Sequence, residues 1–263
     1  MRQLILPGIY PTARVIKLDG ELHHYLSRVL RLKPGAAFPA RDPQGGRYDC
    51  NVISLEQASL KLEVRPAEES AAEPPNETEI TLIMGIPKGK KMDLVLRQAT
   101  EAGIRRIVPF LSENSVVRLE EAERARKQER WQKICREALQ QSGTARAPEV
   151  SVPIDGEELH RVCEGCDRVL YFHEKPLASS SLHQLLRPDD PQAPPRALVL
   201  LVGPEGGFSP RELELFRRFR YDSVHLGASV LRAETAALYA VAAVQTILRE
   251  SPTWQLRSPA HGE

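Results

Sequence analysis

The segment Leu201-Val202-Gly203-Pro204-Glu205-Gly206-Gly207-Phe208 sets three glycines, a proline and a carboxylate side by side, directly behind the apolar run Leu198–Val202. Glycines let backbone amides and carbonyls approach a ligand closely, and proline stiffens the turn. A plain connection between a strand and a helix rarely needs so much glycine together with a carboxylate. The segment Leu226-Gly227-Ala228-Ser229-Val230-Leu231-Arg232-Ala233-Glu234-Thr235 also follows an apolar run. Its Val230 and Leu231 are apolar where a loop is expected to be polar, as if walling a pocket, and Arg232 and Glu234 open the helix that follows. An acidic residue in a first helical turn is a common response to the helix dipole, so Glu234 alone signals little. In an open α/β sheet ligands sit beyond the carboxyl ends of strands, which makes the two segments a candidate pair.

Several chemistries are disfavoured. No GxGxxG follows the first strand of the α/β region and no GxxxxGK[ST] or GxSxG occurs, which argues against dinucleotide, nucleoside triphosphate and serine-hydrolase sites. Cys163-Glu164-Gly165-Cys166 is a lone CxxC behind His160, with no second ligand pair at a zinc-like spacing, so no metal is expected. The four cysteines are scattered, as reduced thiols are. With 36 basic against 35 acidic residues the net charge is only +1, so any nucleic-acid site must come from local patches. The apolar run at the N-terminus is too short for a signal peptide and no segment is long enough for a membrane span; the expected compartment is the cytosol.

The 263 residues suit two domains. Residues 1–70 read as a compact β-barrel with one helix. Tyr48, Cys50 and Val52 alternate with polar residues, as do Leu60, Leu62 and Val64, which is the period of a half-buried strand. Asp42-Pro43-Gln44-Gly45-Gly46 signals a hairpin, and Leu22, Tyr25, Leu26, Val29 and Leu30 mark one face of the helix, stopped by Lys33-Pro34-Gly35. Residues 71–78 have linker chemistry. From 79 to 250 apolar runs alternate with helical patterns, which predicts a mostly parallel sheet with helices on both faces. The strands are expected at Ile80–Ile86, Ile104–Phe110, Arg168–Phe172, Ala197–Val202 and Ser223–Leu226. The helices are expected at Lys90–Ala102, Glu120–Gln141, Ser181–Leu186, Pro210–Phe219 and Ala233–Arg249. The last of these leaves almost no polar face, which predicts burial on all sides, in a core or at a subunit interface. Residues 251–263 read as a tail.

The two loops, taken with Val202 through Ser209 and Leu226-Gly227-x-x-Val230-Leu231-Arg232-x-Glu234-Thr235-Ala236, resemble the RsmE family of 16S ribosomal RNA uracil-N3 methyltransferases in the SPOUT superfamily. Further matches run in order along the chain: His24 with Arg28-Val29-Leu30-Arg31, then Pro87-Lys88-Gly89, Thr100-Glu101-x-Gly103, Ser112-Glu113-x-Ser115-Val116 and Gln141-Ser142-Gly143. The chain departs from the pattern at Gln98, Asn114, Thr144 and Ser229, where a basic residue is usual, and at Gln140, where Glu is common. These departures fall at positions expected to touch RNA or a phosphate, with Arg118 and Arg146 as local substitutes.

The resemblance implies an α/β protein with an N-terminal PUA-like β-barrel and a C-terminal SPOUT α/β domain carrying a deep trefoil knot. It also implies S-adenosylmethionine as methyl donor, 16S rRNA or the 30S subunit as partner, and a homodimer. Leu201, Val202, Gly203, Pro204, Glu205, Gly206, Gly207, Leu226, Gly227, Val230, Leu231 and Thr235 would hold the donor. Arg232 would stabilise the uracil anion, and Glu205 or Glu234 would accept its proton, unless Glu205 only orders its own loop. His24, Arg28, Arg31, Lys88, Lys90, Lys91, Arg118, Gln141, Ser142 and Arg146 would meet RNA. Another base or a ribose 2′-oxygen as acceptor, or a non-catalytic ribosome-assembly role, are the alternatives.

Overall fold

The computed structural model describes residues 4–42, 46–67, 78–142, 146–177, 180–186 and 195–250, with the backbone alone for residues 140–142. The chain divides into two units, Met1–Pro74 with Leu139–Ala147, and Pro75–Ala138 with Pro148–Glu263.

The first unit contains β1 (Leu4–Ile5), β2 (Arg14–Asp19), α1 (Gly20–His24), β3 (Ala37–Arg41), β4 (Arg47–Leu55) and β5 (Ser59–Pro66). The strands form one sheet in the order β1-β3-β4-β5-β2, antiparallel except where β1 joins β3. β1 and β2 stand at opposite edges of this curled sheet, the PUA-like half-barrel that the alternation and the resemblance led one to expect. Tyr48, Cys50, Val52, Leu60, Leu62 and Val64 are buried while Asp49, Asn51 and Lys61 face solvent, as the alternation requires. The helix differs from expectation. After His24 the chain winds as a π-turn over Tyr25–Val29, with the Leu30 amide donating to the Tyr25 carbonyl. This wider winding breaks the 3.6-residue period, so Leu26 is buried but Val29 and Leu30 turn outward. The helix also stops short of Arg31, which has a positive φ of 53° and therefore does not share a helix with His24 and Arg28.

The second unit contains β6 (Glu79–Gly85), α2 (Lys91–Glu101), β7 (Arg106–Phe110), α3 (Glu121–Ser142) up to Ala138, β8 (Glu149–Val150) and α4 (Gly156–Cys163). It continues with β9 (Arg168–Phe172), α5 (Leu182–Leu186), β10 (Ala197–Val202), α6 (Pro210–Arg218), β11 (Asp222–Val224) and α7 (Ala233–Glu250). The six strands are parallel in the order β11-β9-β10-β6-β7-β8. β10 is hydrogen-bonded on both edges. Its Leu198, Leu200 and Val202 point into the core shared with α2, α5 and α7, whereas Val199 and Leu201 point into the opposite core with Phe208 and Phe216. Burial on both faces explains an unbroken apolar run where a one-sided strand would alternate.

Within one chain α7 buries a single face. Ala233, Ala237, Ala240, Val241 and Val244 are buried, but Thr235, Tyr239, Ala242 and Thr246 form an exposed stripe, with Tyr239 at 53% exposure. β8 and α4 lay outside the sequence expectation, β8 because two residues carry no periodicity. α4 does carry a full capping box, Asp155 with Glu158. No helix among the described residues is long and apolar enough to cross a membrane.

Burial pushes the Cys50 thiol up to about 12 and those of Cys135 and Cys163 up to about 11, while Cys166 is half-buried. Iodoacetamide applied to the native protein at neutral pH should therefore label Cys166 first, the other three reacting only as fast as the chain opens. Peptide mapping by mass spectrometry checks this order.

Candidate active site

β9, β10 and β11 end side by side, and the chain leaves each through a loop. The three loops enclose a cavity of about 400 Å³, lined by Phe172 to Glu174, Val202 to Phe208, His225 to Gly227 and Ser229 to Ala233, with Ala236. The size and mixed lining suit a small organic ligand. Val202, Gly203, Pro204, Glu205, Gly206, Gly207, Leu226, Gly227, Val230, Leu231 and Arg232 all meet there. Leu201 does not, since its side chain packs into the opposite core; Thr235 is exposed on α7. Phe172, His173, Glu174 and His225 are lining residues that no motif marked. Their only signal was position just past a strand end.

The glycines act in two ways. Gly207 takes a positive φ of 64°, closing a turn in which its amide donates to the Pro204 carbonyl at 2.9 Å. Gly85, at the end of β6, lies against the loop itself: a Cβ there would overlap the Pro204 nitrogen and sit 2.8 Å from the Gly203 carbonyl carbon.

A buried carboxylate anchors the loop from its far end. Glu212 Oε2 accepts from the Ser209 amide (2.7 Å) and the Ser112 hydroxyl (3.0 Å), and Oε1 accepts from the Glu113 amide (3.0 Å). With the Ser209 hydroxyl accepting from the Glu212 amide in the other half of a capping box, α6 is tied to the 112–118 loop. Asn114 adds a hydrogen bond from Nδ2 to the Gly206 carbonyl at 3.0 Å. Here the departure from the basic residue of the family pattern serves the loop. Arg118 is similarly occupied, its guanidinium donating to the carbonyls of Ser112 and Glu113.

The charged groups divide unevenly. Lys91 Nζ lies 2.7 Å from Glu205 Oε1 and 3.5 Å from Glu234 Oε2, and the Lys88 amide also donates to Glu205 at 3.2 Å. Burial pushes the Glu205 carboxyl up, but hydrogen bonds from Lys91 and from backbone amides, Lys88 among them, outweigh it and hold the group below the usual carboxylate value. Glu234 does not line the cavity; its Oε2 is buried without a hydrogen-bond partner. Arg232 is exposed at the cavity wall and, among the described residues, its side chain makes no hydrogen bond or ion pair.

Of the remaining candidates, His24, Arg28, Arg31, Lys88 and Lys90 are exposed and Arg146 is half-buried. Gln141 and Ser142 end α3, their side chains outside the described residues, as is Thr144. Among the described residues no group of His, Cys, Asp and Glu could hold a metal ion.

Residues 74–245 match the model of an RNA methyltransferase domain, and residues 18–64 that of an RNA methyltransferase PUA domain. The chain belongs to the ribosomal RNA small subunit methyltransferase E family. The Synechocystis member is 30% identical over 94% of this chain and 78% of its own length. The Aquifex aeolicus member is 30% identical over 85% of this chain and 90% of its own. The Neisseria gonorrhoeae member, solved bound to S-adenosyl methionine, superposes with a TM-score of 0.78 at 28% identity, covering 94% of this chain and 98% of that one.

Two outcomes test this geometry. Gly85→Ala should destabilise the chain by about 1–3 kcal/mol in urea denaturation, because backbone atoms of Gly203 and Pro204 must move. A carboxylate whose folded pKa is depressed adds stability that is complete above its unfolded value, ~4.3, and lost as pH falls through the lower folded one. The Glu205 side chain, followed by NMR, should therefore titrate below the ordinary glutamate value.

Proposed function

We propose that this chain transfers the methyl group of S-adenosylmethionine to N3 of a uridine in 16S rRNA. The observation that carries the reading is the meeting of the 203–208 and 226–232 loops in one cavity whose wall presents Arg232, an arginine whose side chain has no partner among the described residues.

The lining fits the donor. Phe172, Val202, Leu226, Val230 and Leu231 offer apolar walls to an adenine, and the glycine-rich backbone offers amides and carbonyls at close range. The bound donor supplies a sulfonium methyl already activated by its positive charge. What the protein must add is orientation and the removal of one proton, and orientation alone is worth several orders of magnitude. Uracil N3 becomes nucleophilic when its proton leaves. Arg232 stabilises the anion that develops, once donor and RNA cover the cavity and take its guanidinium out of water. Glu205, already bonded to Lys91 and the Lys88 amide, serves its loop, the second of the two roles open to it. Glu234 stands behind the cavity wall, which leaves water at the exposed mouth to take the N3 proton.

In this reading residues 1–70 form an RNA-gripping unit using His24, Arg28 and Arg31, residues 79–250 form the knotted transferase, and 71–78 join them. Lys88 and Lys90 add phosphate contacts beside the cavity, which position RNA without reading its sequence. The exposed stripe Thr235, Tyr239, Ala242 and Thr246 on α7 supports a homodimer. The reaction belongs to the cytoplasm, where 30S subunits are made.

The deciding experiment incubates the protein with the methyl donor and either 30S subunits or naked 16S RNA, then identifies the product nucleoside by mass spectrometry. 3-Methyluridine is expected; a ribose-methylated product or none overturns the assignment. Arg232→Ala should lower the single-turnover rate about 100-fold, while calorimetry gives donor affinity within about 3-fold of wild type. An unchanged rate removes Arg232 from the chemistry.

A further inference from the structure

Lys91 was expected to meet RNA, but its ammonium is turned toward protein. It is the first residue of α2, and it reaches two carboxylates from two other elements: Glu205 in the loop after β10, at 2.7 Å, and Glu234 in the first turn of α7, at 3.5 Å. Each carboxylate belongs to one of the two segments that form the cavity. Neither Lys91 nor Glu234 lines that cavity, so the contact lies behind its wall.

We propose that Lys91 is a positioning residue that ties the 203–208 and 226–232 loops to each other, through Glu205 and Glu234, and so sets the shape of the donor pocket. The reading of the cavity as a donor pocket is the one given above. An exposed ion pair would carry no such weight, because water screens it and holding two long side chains together costs entropy. This one differs in burial: the Glu234 side chain is only 12% exposed and its Oε2 has no hydrogen-bond donor. Lys91 is the one cation within ion-pair distance of Glu234 among the described residues. Without it a buried carboxylate would be left uncompensated, with a second carboxylate nearby, and the cheapest relief is for the loops to separate. The Lys88 amide, just past β6, keeps Glu205 attached in any case, whereas the segment running into α7 loses the one ion pair of Glu234 among the described residues. Removing Lys91 should therefore loosen the 226–232 loop more than the 203–208 loop.

Hydrogen exchange read by mass spectrometry on the full-length protein without ligand tests this directly. In Lys91→Met, amides of 226–236 should exchange at least about 10-fold faster and those of 203–208 somewhat faster, with β6 and β10 unchanged. Lys91→Arg should restore much of the protection. Adding Glu234→Gln to Lys91→Met, which removes the uncompensated charge, should restore part of it. Donor affinity by calorimetry should fall about 10-fold in Lys91→Met. Unchanged exchange in both loops, or faster exchange spread over the whole sheet, overturns the proposal. So does a loss of RNA affinity in Lys91→Met with loop exchange intact, which would return Lys91 to an RNA role. If the wild type fails to bind the donor, the functional reading falls, while the exchange data still decide whether Lys91 ties the loops.

Discussion

The cavity depends on a contact between two stretches of backbone. β6 ends at Gly85, and the turn Gly203-Pro204 lies against it with no side chain between them. β10 cannot shift to relieve that contact, since it is hydrogen-bonded to β6 and β9 and buried on both faces. The loop after β10 therefore inherits its position from a strand held on both edges and both faces. Everything else that holds it works on a loop already placed: Glu212 and Asn114 from one side, Lys91 and the Lys88 amide from the other. Loops that carry chemistry are precise when a rigid scaffold limits them in this way.

The charges around the cavity follow a division of labour. Two carboxylates and one lysine neutralise each other in part and stay with the protein, and one arginine remains for a ligand. That suits a methyl transfer, in which the donor carries its own activation and the protein contributes placement and one fixed positive charge. The near-zero net charge of the chain hides this arrangement, because the functional asymmetry is local.

Which features were legible depended on how far apart in sequence the interacting groups lie. Arg168–Phe172 and Ala197–Val202 were readable residue for residue from their unbroken apolar runs, and α6 from Ser209-Pro210 with Glu212. The two glycine-bearing loops were readable because strand ends with that composition are rare. The protein partners of Arg118 and Lys91 were not legible for a plain reason: any exposed cation looks alike until its partner is known. The partner of Lys91 sits 114 positions away, and the hydroxyl that Glu212 accepts from sits 100 positions away. The π-turn at Tyr25–Val29 escaped because a helical pattern does not reveal a change of winding.

By itself the sequence determined the period of each long element, the glycines that a close backbone approach requires, and the residue types at both loops, since these follow from local sterics and burial. Only the tertiary structure decided that the two loops share one cavity, that Leu201 and Thr235 stand outside its lining, and which face of α7 is buried within the chain. It also decided which charges are spent on the protein and which are left for a ligand. Those outcomes are set by contacts between segments far apart in the chain, whose free energy no local pattern records.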